Sequence, residues 1–425
     1  MPVATEPEIG TSVKTSLTLI VIGGVAVGAV AAFVVPWQWL PDAHLWHGAT
    51  APWISTSRRS DMEAFAQVRR YLGWTNYALV LILLGWCALT RAGSRLMSWL
   101  MSWLPGPWPL RTALGAASIT LATTIMTLPI AWWQHARALQ VGLSTQSATE
   151  WFRDLALSWL VDAGTTAVVL VLVVGFARRW PQRWPLPLAA AVAAATLALS
   201  MAYPLLIEPL FNRFTPLPQG ALRSAITELA ERQGVRIREV LVADASRRTT
   251  ALNAYVSGIG STRRVVLYDT LVKDLPPDQA EVVVAHELAH ARNHDVAWGT
   301  ALGAVGSIAG VGLLGLLLSR RWLLARSCAH GSGDPRVVPL VIFLISAGSL
   351  AVSPAQNLVS RAMETRADVE SLQATSDFEG FRRMQATLCD KSWCDPAPPA
   401  LAQFWFGSHP TTQERIGLAN DLEGE

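Results

Sequence analysis

The sequence predicts a mostly α-helical, polytopic membrane protein with a small α/β segment on one face. Only 15% of its 425 residues are charged, against about 25% in an average soluble chain, and the mean hydropathy is +0.32. Of the 34 basic and 31 acidic residues, 39 lie in 206–297 and 357–425. None of the 19 Trp lies in 206–297. Many of them lie at the ends of apolar stretches, where an indole prefers the interface between lipid and water. This composition excludes an intrinsically disordered chain, a nucleic-acid binder and an all-soluble enzyme.

Seven apolar stretches are long enough to cross a bilayer core, which takes about 20 helical residues. The first is no signal peptide in our interpretation, because Glu6 and Glu8 precede it and no small-residue cleavage site follows it. An odd number of spans puts the two termini on opposite faces, and it puts 207–297 and 357–425 on the same face. The predicted spans are 17–36, 72–90, 112–133, 157–177, 186–206, 298–318 and 337–356.

This layout divides the chain into four parts. We expect an N-terminal membrane domain over 1–206, a polar segment over 207–297, spans six and seven over 298–356, and a C-terminal segment over 357–425. Within the polar segment, Leu222, Ile226 and Leu229 share one helical face. The elements predicted there are a helix over 219–233, a strand over 240–242, a hairpin of 253–260 with 264–269, and a helix that Asp278 can cap and that runs through 290.

The motif His286-Glu287-Leu288-Ala289-His290 carries the chemistry. Two His at i and i+4 project from one helix face, so both imidazoles can bind one Zn²⁺. Glu287 lies about 100° around the helix, where its carboxylate can accept a proton from an attacking water. The motif therefore predicts a zinc hydrolase site.

A third zinc ligand is expected from the segment that follows the seventh span, since catalytic zinc usually has three protein ligands. Glu364 and Asp368 lie at i and i+4 on a predicted helix and share a face. One of them can bind the metal, while the other accepts the second N–H of a ligating His. His294 lies four residues past His290, and we interpret it as a polar residue at the helix end.

In these residues the chain resembles the type I CAAX prenyl endopeptidases and their bacterial relatives, integral-membrane zinc metalloproteases of the gluzincin type. The resemblance covers roughly 200–415, and the first 200 residues match only in hydropathy. It is carried by 207–217, Asn253-Ala-Tyr-Val, 264–271, the His286–His290 motif, Ser360-Arg-Ala-Met-Glu-Thr-Arg-Ala-Asp and Ser408-His-Pro.

The resemblance implies a zinc endopeptidase with one Zn²⁺ per chain, whose seven spans enclose a water-filled chamber. It implies zinc ligands at His286, His290 and Glu364, Glu287 as general base, Asp368 orienting His286, His409 donating to the oxyanion with Arg415 beside it, and Asn253, Ala254 and Tyr255 on an edge strand that binds substrate. Asp162, inside the fourth span, either faces the chamber or is a helix-end acid near the interface.

The preferred function is hydrolysis of small or membrane-associated peptides and proteins. The alternatives are CAAX-type C-terminal processing of lipidated substrates, and a non-proteolytic zinc-binding scaffold or transporter. An Arg- and Ala-rich chain looks bacterial, so we expect a multi-pass protein of a bacterial plasma membrane. Its partners would be a peptide or protein substrate and the lipid bilayer, with no nucleic acid.

The orientation in the membrane is left open by the sequence. Short loops on the face of the N-terminus carry 11 Lys and Arg, against 6 on the opposite face. The positive-inside rule then puts the catalytic face outside the cytoplasm. Cys389 and Cys394 lie on the catalytic face and could pair, which requires an oxidising compartment. The family resemblance implies the reverse, with the zinc site towards the cytoplasm.

Overall fold

The structure is a computed structural model that describes residues 12–39, 52–258 and 260–424. Within these ranges, seven helical segments are long and apolar enough to cross a membrane, which confirms the predicted polytopic fold. They contain α1 (Val13–Val34), α2 (Thr56–Leu89), α4 (Trp108–Gln140), α5 (Ala148–Arg179), α6 (Pro185–Leu206), α11 (Asp295–Leu318) and α13 (Val338–Thr375).

Two of these helices continue well beyond the apolar stretches that predicted them. Helix α2 begins at Thr56, where the Ser55 side chain accepts a hydrogen bond from the Arg58 amide and caps the helix. Helix α13 continues to Thr375 and so carries Glu364 on the same rigid rod as the seventh span. The polar ends of both helices lie on the catalytic face, where they connect the membrane helices to the polar segments.

The first and sixth membrane helices pack closely through small residues. A Cβ added at Gly23 of α1 would lie 2.5 Å from the Ala309 amide nitrogen of α11, and one at Gly312 would lie 2.8 Å from the Ser16 carbonyl. Small residues allow helix backbones to approach in a membrane, where packing rather than the hydrophobic effect drives helix association. Any larger side chain at these two glycines would separate the helices.

A cavity of about 340 Å³ lies between α2, α4, α5 and α13 in the membrane region. Its lining includes Asp162 together with Thr120, Thr123 and Thr165. Of the two interpretations of Asp162, this position favours the one in which it faces an internal chamber.

The described polar segment contains a four-stranded sheet with the order β1-β2-β4-β3. Strand β1 (Phe214–Pro216) pairs antiparallel with β2 (Glu239–Ala243), β2 pairs parallel with β4 (Arg264–Tyr268), and β4 pairs antiparallel with β3 (Ala254–Ser257). Strand β3 is therefore an edge strand, as the family resemblance implies for Ala254 and Tyr255. The predicted helices are present as α8 (Ala221–Arg232) and α10 (Pro277–Arg292).

The core of this segment lies between the sheet, α8, α10 and α14 (Phe378–Ser392). Leu229, Val265, Leu288 and Phe381 are fully buried in it, one from each of these elements. The C-terminal segment thus shares one core with 207–297, although two membrane spans separate them in sequence. The remaining helices are α3 (Arg91–Trp103), α7 (Glu208–Phe211), α9 (Asp269–Asp274), α12 (Arg321–Arg326), α14 (Phe378–Ser392), α15 (Ala400–Phe406) and α16 (Thr412–Gly424).

Candidate active site

Helix α10 positions the His286–His290 motif at the junction of the sheet and the membrane helices. It begins with Pro277 at its first position, where a missing amide hydrogen has no cost, and Asp278 lies in the first turn without capping it. The buried face of α10 holds the helix against the core, so His286 is only 7% exposed. The two His side chains therefore have little freedom to move.

The two His of the motif converge with Glu364 on one point. The Nε2 atoms of His286 and His290 are 3.1 Å apart. The Glu364 carboxylate lies 3.2 Å from Nε2 of His286 and 3.4 Å from Nε2 of His290. All three candidate ligand atoms lie within 4.8 Å of one another, in the one such cluster found among the described residues.

The outer nitrogen of each His ring faces a carboxylate. Nδ1 of His286 is 2.9 Å from Asp368, and Nδ1 of His290 is 2.8 Å from Asp295. These contacts favour the tautomer with the proton on Nδ1, which leaves a lone pair on each Nε2. Two lone pairs and a carboxylate then point at the same space, an arrangement that a cation would stabilise.

The charges around His290 support the same conclusion. Burial alone would lower the pKa of His290, but its hydrogen bonds with Asp295 and Glu364 outweigh burial and raise the pKa to about 10. The carboxylates therefore favour a positive charge at Nε2 of His290. Without a metal a second proton on the ring supplies that charge, and a bound cation would displace this proton and take the Nε2 lone pair. One oxygen of Glu364 is buried and accepts no hydrogen bond from the described residues. Two imidazole nitrogens and one carboxylate oxygen therefore surround a space in which positive charge is favoured. This donor set fits a divalent metal ion.

Arginines hold both supporting carboxylates. Arg415 forms a two-pronged ion pair with Asp368, with its Nε 2.8 Å from one oxygen. Arg366 forms an ion pair with Asp295. Arg415 therefore supports the His286 side of the site through Asp368, and its charge also acts on the His409 ring beside which the family resemblance placed it.

Asp295 and Arg366 are the two site residues that the sequence analysis missed. Asp295 is the first residue of α11 and lies five residues after His290. The signal that could have identified it is chemical, because each ligating His needs an acceptor for its outer nitrogen. The sequence predicts only one such acceptor, from the Glu364 and Asp368 pair.

Glu287 lines a cleft beside the two His. Burial raises the pKa of its carboxyl above the ordinary value, and the positive charges at His286 and His290 oppose that shift. A carboxylate with a raised pKa is a better proton acceptor near neutral pH. Its position and its proton affinity both suit a general base.

His409 approaches Glu364 from the loop between α15 and α16. Its Nε2 lies 3.4 Å from Glu364, and the Ser408 hydroxyl lies 2.9 Å from its Nδ1. The loop is held by Arg361, which donates to the carbonyls of Gln403 and Gly407. Desolvation lowers the pKa of His409, which favours the neutral ring. The tautomer in which the Ser408 hydroxyl donates to Nδ1 has its proton on Nε2, the atom that faces Glu364.

The cleft of about 340 Å³ runs from the motif to the edge strand β3. Tyr255, Val256 and Glu287 all line it, while Ala254 is buried in the core and Asn253 is exposed outside the lining. The Tyr255 hydroxyl donates to Glu208 at 3.3 Å. Of the three expected substrate-binding residues, only Tyr255 thus has its side chain in the cleft.

Along β3, every second residue directs its backbone hydrogen-bonding groups away from β4. The amide of Tyr268 donates to the carbonyl of Asn253, which makes these two residues a hydrogen-bonded pair of the β3–β4 ladder. Pairs alternate along an antiparallel ladder, so the backbone groups of Ala254 and Val256 point to the open edge. An extended peptide could add a strand there.

His294 lies at the junction of α10 and α11 and not in the metal cluster. Its backbone is left-handed, with φ of 58°, and its Nδ1 is 2.8 Å from the Arg263 guanidinium. It therefore serves the turn between the two helices, as the interpretation of a helix-end residue expected.

These features define a polytopic membrane metallopeptidase: seven membrane helices, a His-Glu-x-x-His helix beside an edge strand, and a third carboxylate ligand from a distant helix. Comparison with known sequences identifies the family. Residues 216–423 match the model of peptidase family M48, and residues 55–213 match the model described as CAAX prenyl protease N-terminal, five membrane helices. The chain belongs to peptidase family M48 and is a membrane metalloendopeptidase.

Individual relatives agree with this assignment. The chain is 29% identical over 375 residues to the uncharacterized metalloprotease YhfN of Bacillus subtilis, covering 88% of each chain. It is 30% identical over 305 residues to the CAAX prenyl protease 1 homolog of Dictyostelium discoideum, covering 70% of each. The crystal structure of S. mikatae Ste24p matches with a TM-score of 0.76 at 19% identity, over 98% of this chain and 100% of that one. At that identity the structural match concerns the fold.

Proposed function

We propose that the metal is zinc, one ion per chain, with His286, His290 and Glu364 as its ligands. The observation that carries the proposal is the convergence of both Nε2 atoms and the Glu364 carboxylate on one point. Two imidazoles and one carboxylate are a donor set typical of catalytic zinc, which keeps a further position open. A zinc ion bound there supplies Lewis-acid polarisation of the scissile carbonyl and lowers the pKa of the attacking water.

The remaining chemistry belongs to side chains of the protein. Glu287 would remove the proton from the attacking water and then pass it to the leaving amine. Nε2–H of His409 would donate a hydrogen bond to the oxyanion that develops on the substrate carbonyl oxygen. Asp368 and Asp295 would hold the two His rings in their metal-binding tautomer, and Arg415 and Arg366 would hold those carboxylates.

Substrate would bind as an extended strand along β3. The open backbone groups of Ala254 and Val256 would pair with the peptide, as in other strand-addition complexes. Tyr255 would line the cleft beside the scissile bond. Asn253 would contribute only by setting the register of β3, since its carbonyl pairs with Tyr268.

The substrates we favour are small or membrane-associated peptides and proteins, processed at a bacterial plasma membrane. The competing substrate class is the lipidated C-terminus that the name CAAX prenyl protease 1 indicates for the Dictyostelium discoideum relative. We further propose that 1–206, 207–297, 298–356 and 357–425 are the functional divisions of the chain, with the zinc site shared by the second and fourth.

The purified full-length protein should test this function directly in detergent. Incubation with an unmodified peptide library should yield chelator-sensitive cleavage products, and mass spectrometry would identify the cut sites. Cleavage that requires a prenylated C-terminal cysteine would favour the competing class. Cleavage that continues at the same rate in the presence of a strong zinc chelator would contradict the zinc mechanism.

Asp295→Asn should weaken zinc binding. The substitution keeps the size of the side chain but removes the charge that faces Nδ1 of His290 and Arg366. Losses of such supporting partners typically cost about 10–100-fold in metal affinity. Competition with a zinc chelator would measure the change. Asp274→Asn, which affects only a pair of Asp274 with Lys391 at 2.9 Å, is the matched control, and equal affinities for both variants would exclude the role of Asp295.

His409→Ala should lower kcat with little change in KM. His409 would contact the oxyanion mainly in the transition state, and removal of one such donor typically costs about 10²–10³-fold in kcat. Steady-state kinetics on a library-derived peptide would separate the two constants. Zinc content should stay at one ion per chain. A variant that changes KM alone would indicate that His409 binds substrate instead.

A further inference from the structure

A disulfide joins Cys389 and Cys394 on the catalytic face, at the end of helix α14. Cys389 is buried in an apolar cluster with Met62 of α2 and Ile416 of α16. Ile416 directly follows Arg415, the residue that holds Asp368. The disulfide is therefore part of the packing that supports the metal-binding residues.

The position of the disulfide is fixed by contacts with the N-terminal end of α2. Asp390 and Asp395, on either side of Cys394, form ion pairs with Arg58 and Arg70 of α2. Both arginines precede the apolar part of α2. The disulfide therefore lies on the face at which α2 begins and at which the metal-binding residues lie.

The other two of the four cysteines are free thiols at the opposite face. Cys87 lies in the last turn of α2, and Cys328 follows the short helix α12 between the sixth and seventh spans. Structural disulfides persist in oxidising compartments and are rare in the cytosol, where thiols stay reduced. The disulfide is on one face and the free thiols are on the other. This distribution indicates that the catalytic face lies in an oxidising compartment.

The distribution of cations in the short loops gives an independent indication. The short loops of the catalytic face carry six Lys and Arg, and three of them, Arg58, Arg59 and Arg70, form ion pairs with carboxylates on that same face. Eleven lie on the face of the N-terminus. Among the described residues, no side-chain nitrogen of these eleven forms an ion pair within 4.0 Å of a carboxylate oxygen, so ion pairing in the fold does not account for them: Lys14, Arg91, Arg95, Arg111, Arg178, Arg179, Arg183, Arg320, Arg321, Arg326 and Arg336.

We propose that the metal site of this protein faces away from the cytoplasm. An excess of Lys and Arg in short loops keeps those loops in the cytoplasm during insertion, which assigns the face of the N-terminus to the cytoplasm. The disulfide requires the catalytic face to be in an oxidising compartment. The two observations are independent, since one concerns loops on one face and the other a covalent bond on the opposite face.

The orientation narrows the substrate class, and this step rests on the proposed peptidase function. Substrates would reach the cleft from outside the cytoplasm, as exported peptides or as extracytoplasmic segments of membrane proteins. A protein that is prenylated and retained in the cytoplasm could not reach the site. The substrate is therefore an unprenylated, extended polypeptide segment that has already crossed the membrane.

Thiol labelling would test the orientation without requiring activity. Glu228→Cys on the catalytic face and His330→Cys on the opposite face form a matched pair, because their native side chains are 70% and 83% exposed. Each is made in a Cys87→Ser, Cys328→Ser background that keeps the disulfide. In sealed bacterial spheroplasts, a membrane-impermeant maleimide should label the Glu228→Cys variant, while the His330→Cys variant should react only after permeabilisation. The reverse pattern, or equal labelling of both before permeabilisation, would overturn the proposal.

The redox state of the native pair provides a second measurement. After acid quenching of intact cells, alkylation and mass spectrometry should find Cys389 and Cys394 oxidised and Cys328 alkylated. A fully reduced pair would overturn the proposal.

A peptide reporter, exported in one strain and cytoplasmic in another, separates orientation from activity. The wild-type protein should cut only the exported copy, and Glu287→Gln neither. Cleavage of only the cytoplasmic copy would contradict the orientation. If neither copy is cut while labelling is as expected, the peptidase function fails and the orientation stands.

Discussion

Replacing Glu287 by Gln should lower kcat/KM by about 10²–10⁴-fold, the usual contribution of a positioned general base. The amide has nearly the same shape as the carboxylate but cannot accept the proton of the attacking water. Because Glu287 is not among the three converging groups, the variant should still bind one zinc per chain. Peptide kinetics together with metal analysis on the same sample would measure both quantities.

Glu281→Gln provides a matched control on the same helix. Glu281 lies about 1.7 turns before Glu287 and forms a partly exposed ion pair with Arg232 at 3.0 Å. Exposed pairs of this kind contribute about 0.2–1 kcal/mol, so this variant should keep wild-type activity and stability. Wild-type rates in the Glu287→Gln variant would refute the base mechanism, whereas loss of its zinc would show that Glu287 has a structural role.

The membrane fold was predictable because lipid imposes a strong constraint on sequence. A span must be apolar over about 20 residues, and each of the seven predicted stretches corresponds to an observed helix. The helical extensions on the catalytic face were not predictable in the same way. The fifteen residues of α2 before Tyr71 include six charged ones, so hydropathy does not detect this part as a span, and only the Ser55 cap indicates where that helix begins.

The local part of the site was predictable for a different reason. The helix period alone places the side chains of His286 and His290 on the same face of the helix. The choice between Glu364 and Asp368 could not be made from that period, because both lie on the same face of α13. It depends on how α13 packs against α10, which places Glu364 beside both Nε2 atoms and Asp368 beside Nδ1 of His286.

Asp295 and Arg366 illustrate what a local pattern omits. Asp295 reaches Nδ1 of His290 only because the chain turns at His294, whose left-handed backbone begins α11 in a new direction. Arg366 reaches Asp295 from a helix 71 positions later in sequence. Neither contact follows from spacing, since both depend on the angle between α10, α11 and α13.

Replacing Glu364 by Ala should abolish zinc binding at the site and activity with it. The substitution removes one of three ligands, and two His alone do not make up the three protein ligands usual for catalytic zinc. Isolated protein should contain well under one zinc per chain by metal analysis. Peptide cleavage should fall to the level of the wild-type protein in chelator.

Thermal unfolding distinguishes loss of the ligand from loss of the fold. A ligand that binds only the folded state stabilises it, by about 2.7 kcal/mol at a free concentration 100 times Kd, so zinc should raise the Tm of the metal-stripped wild-type protein. Glu379→Ala removes an exposed carboxylate on α14 that pairs with Arg383 at 2.7 Å and should keep that response. The Glu364→Ala variant should fold but lose the zinc-dependent rise. A full rise in Tm for that variant would mean that zinc binds elsewhere, and the convergence of Glu364 with the two His would then need another explanation.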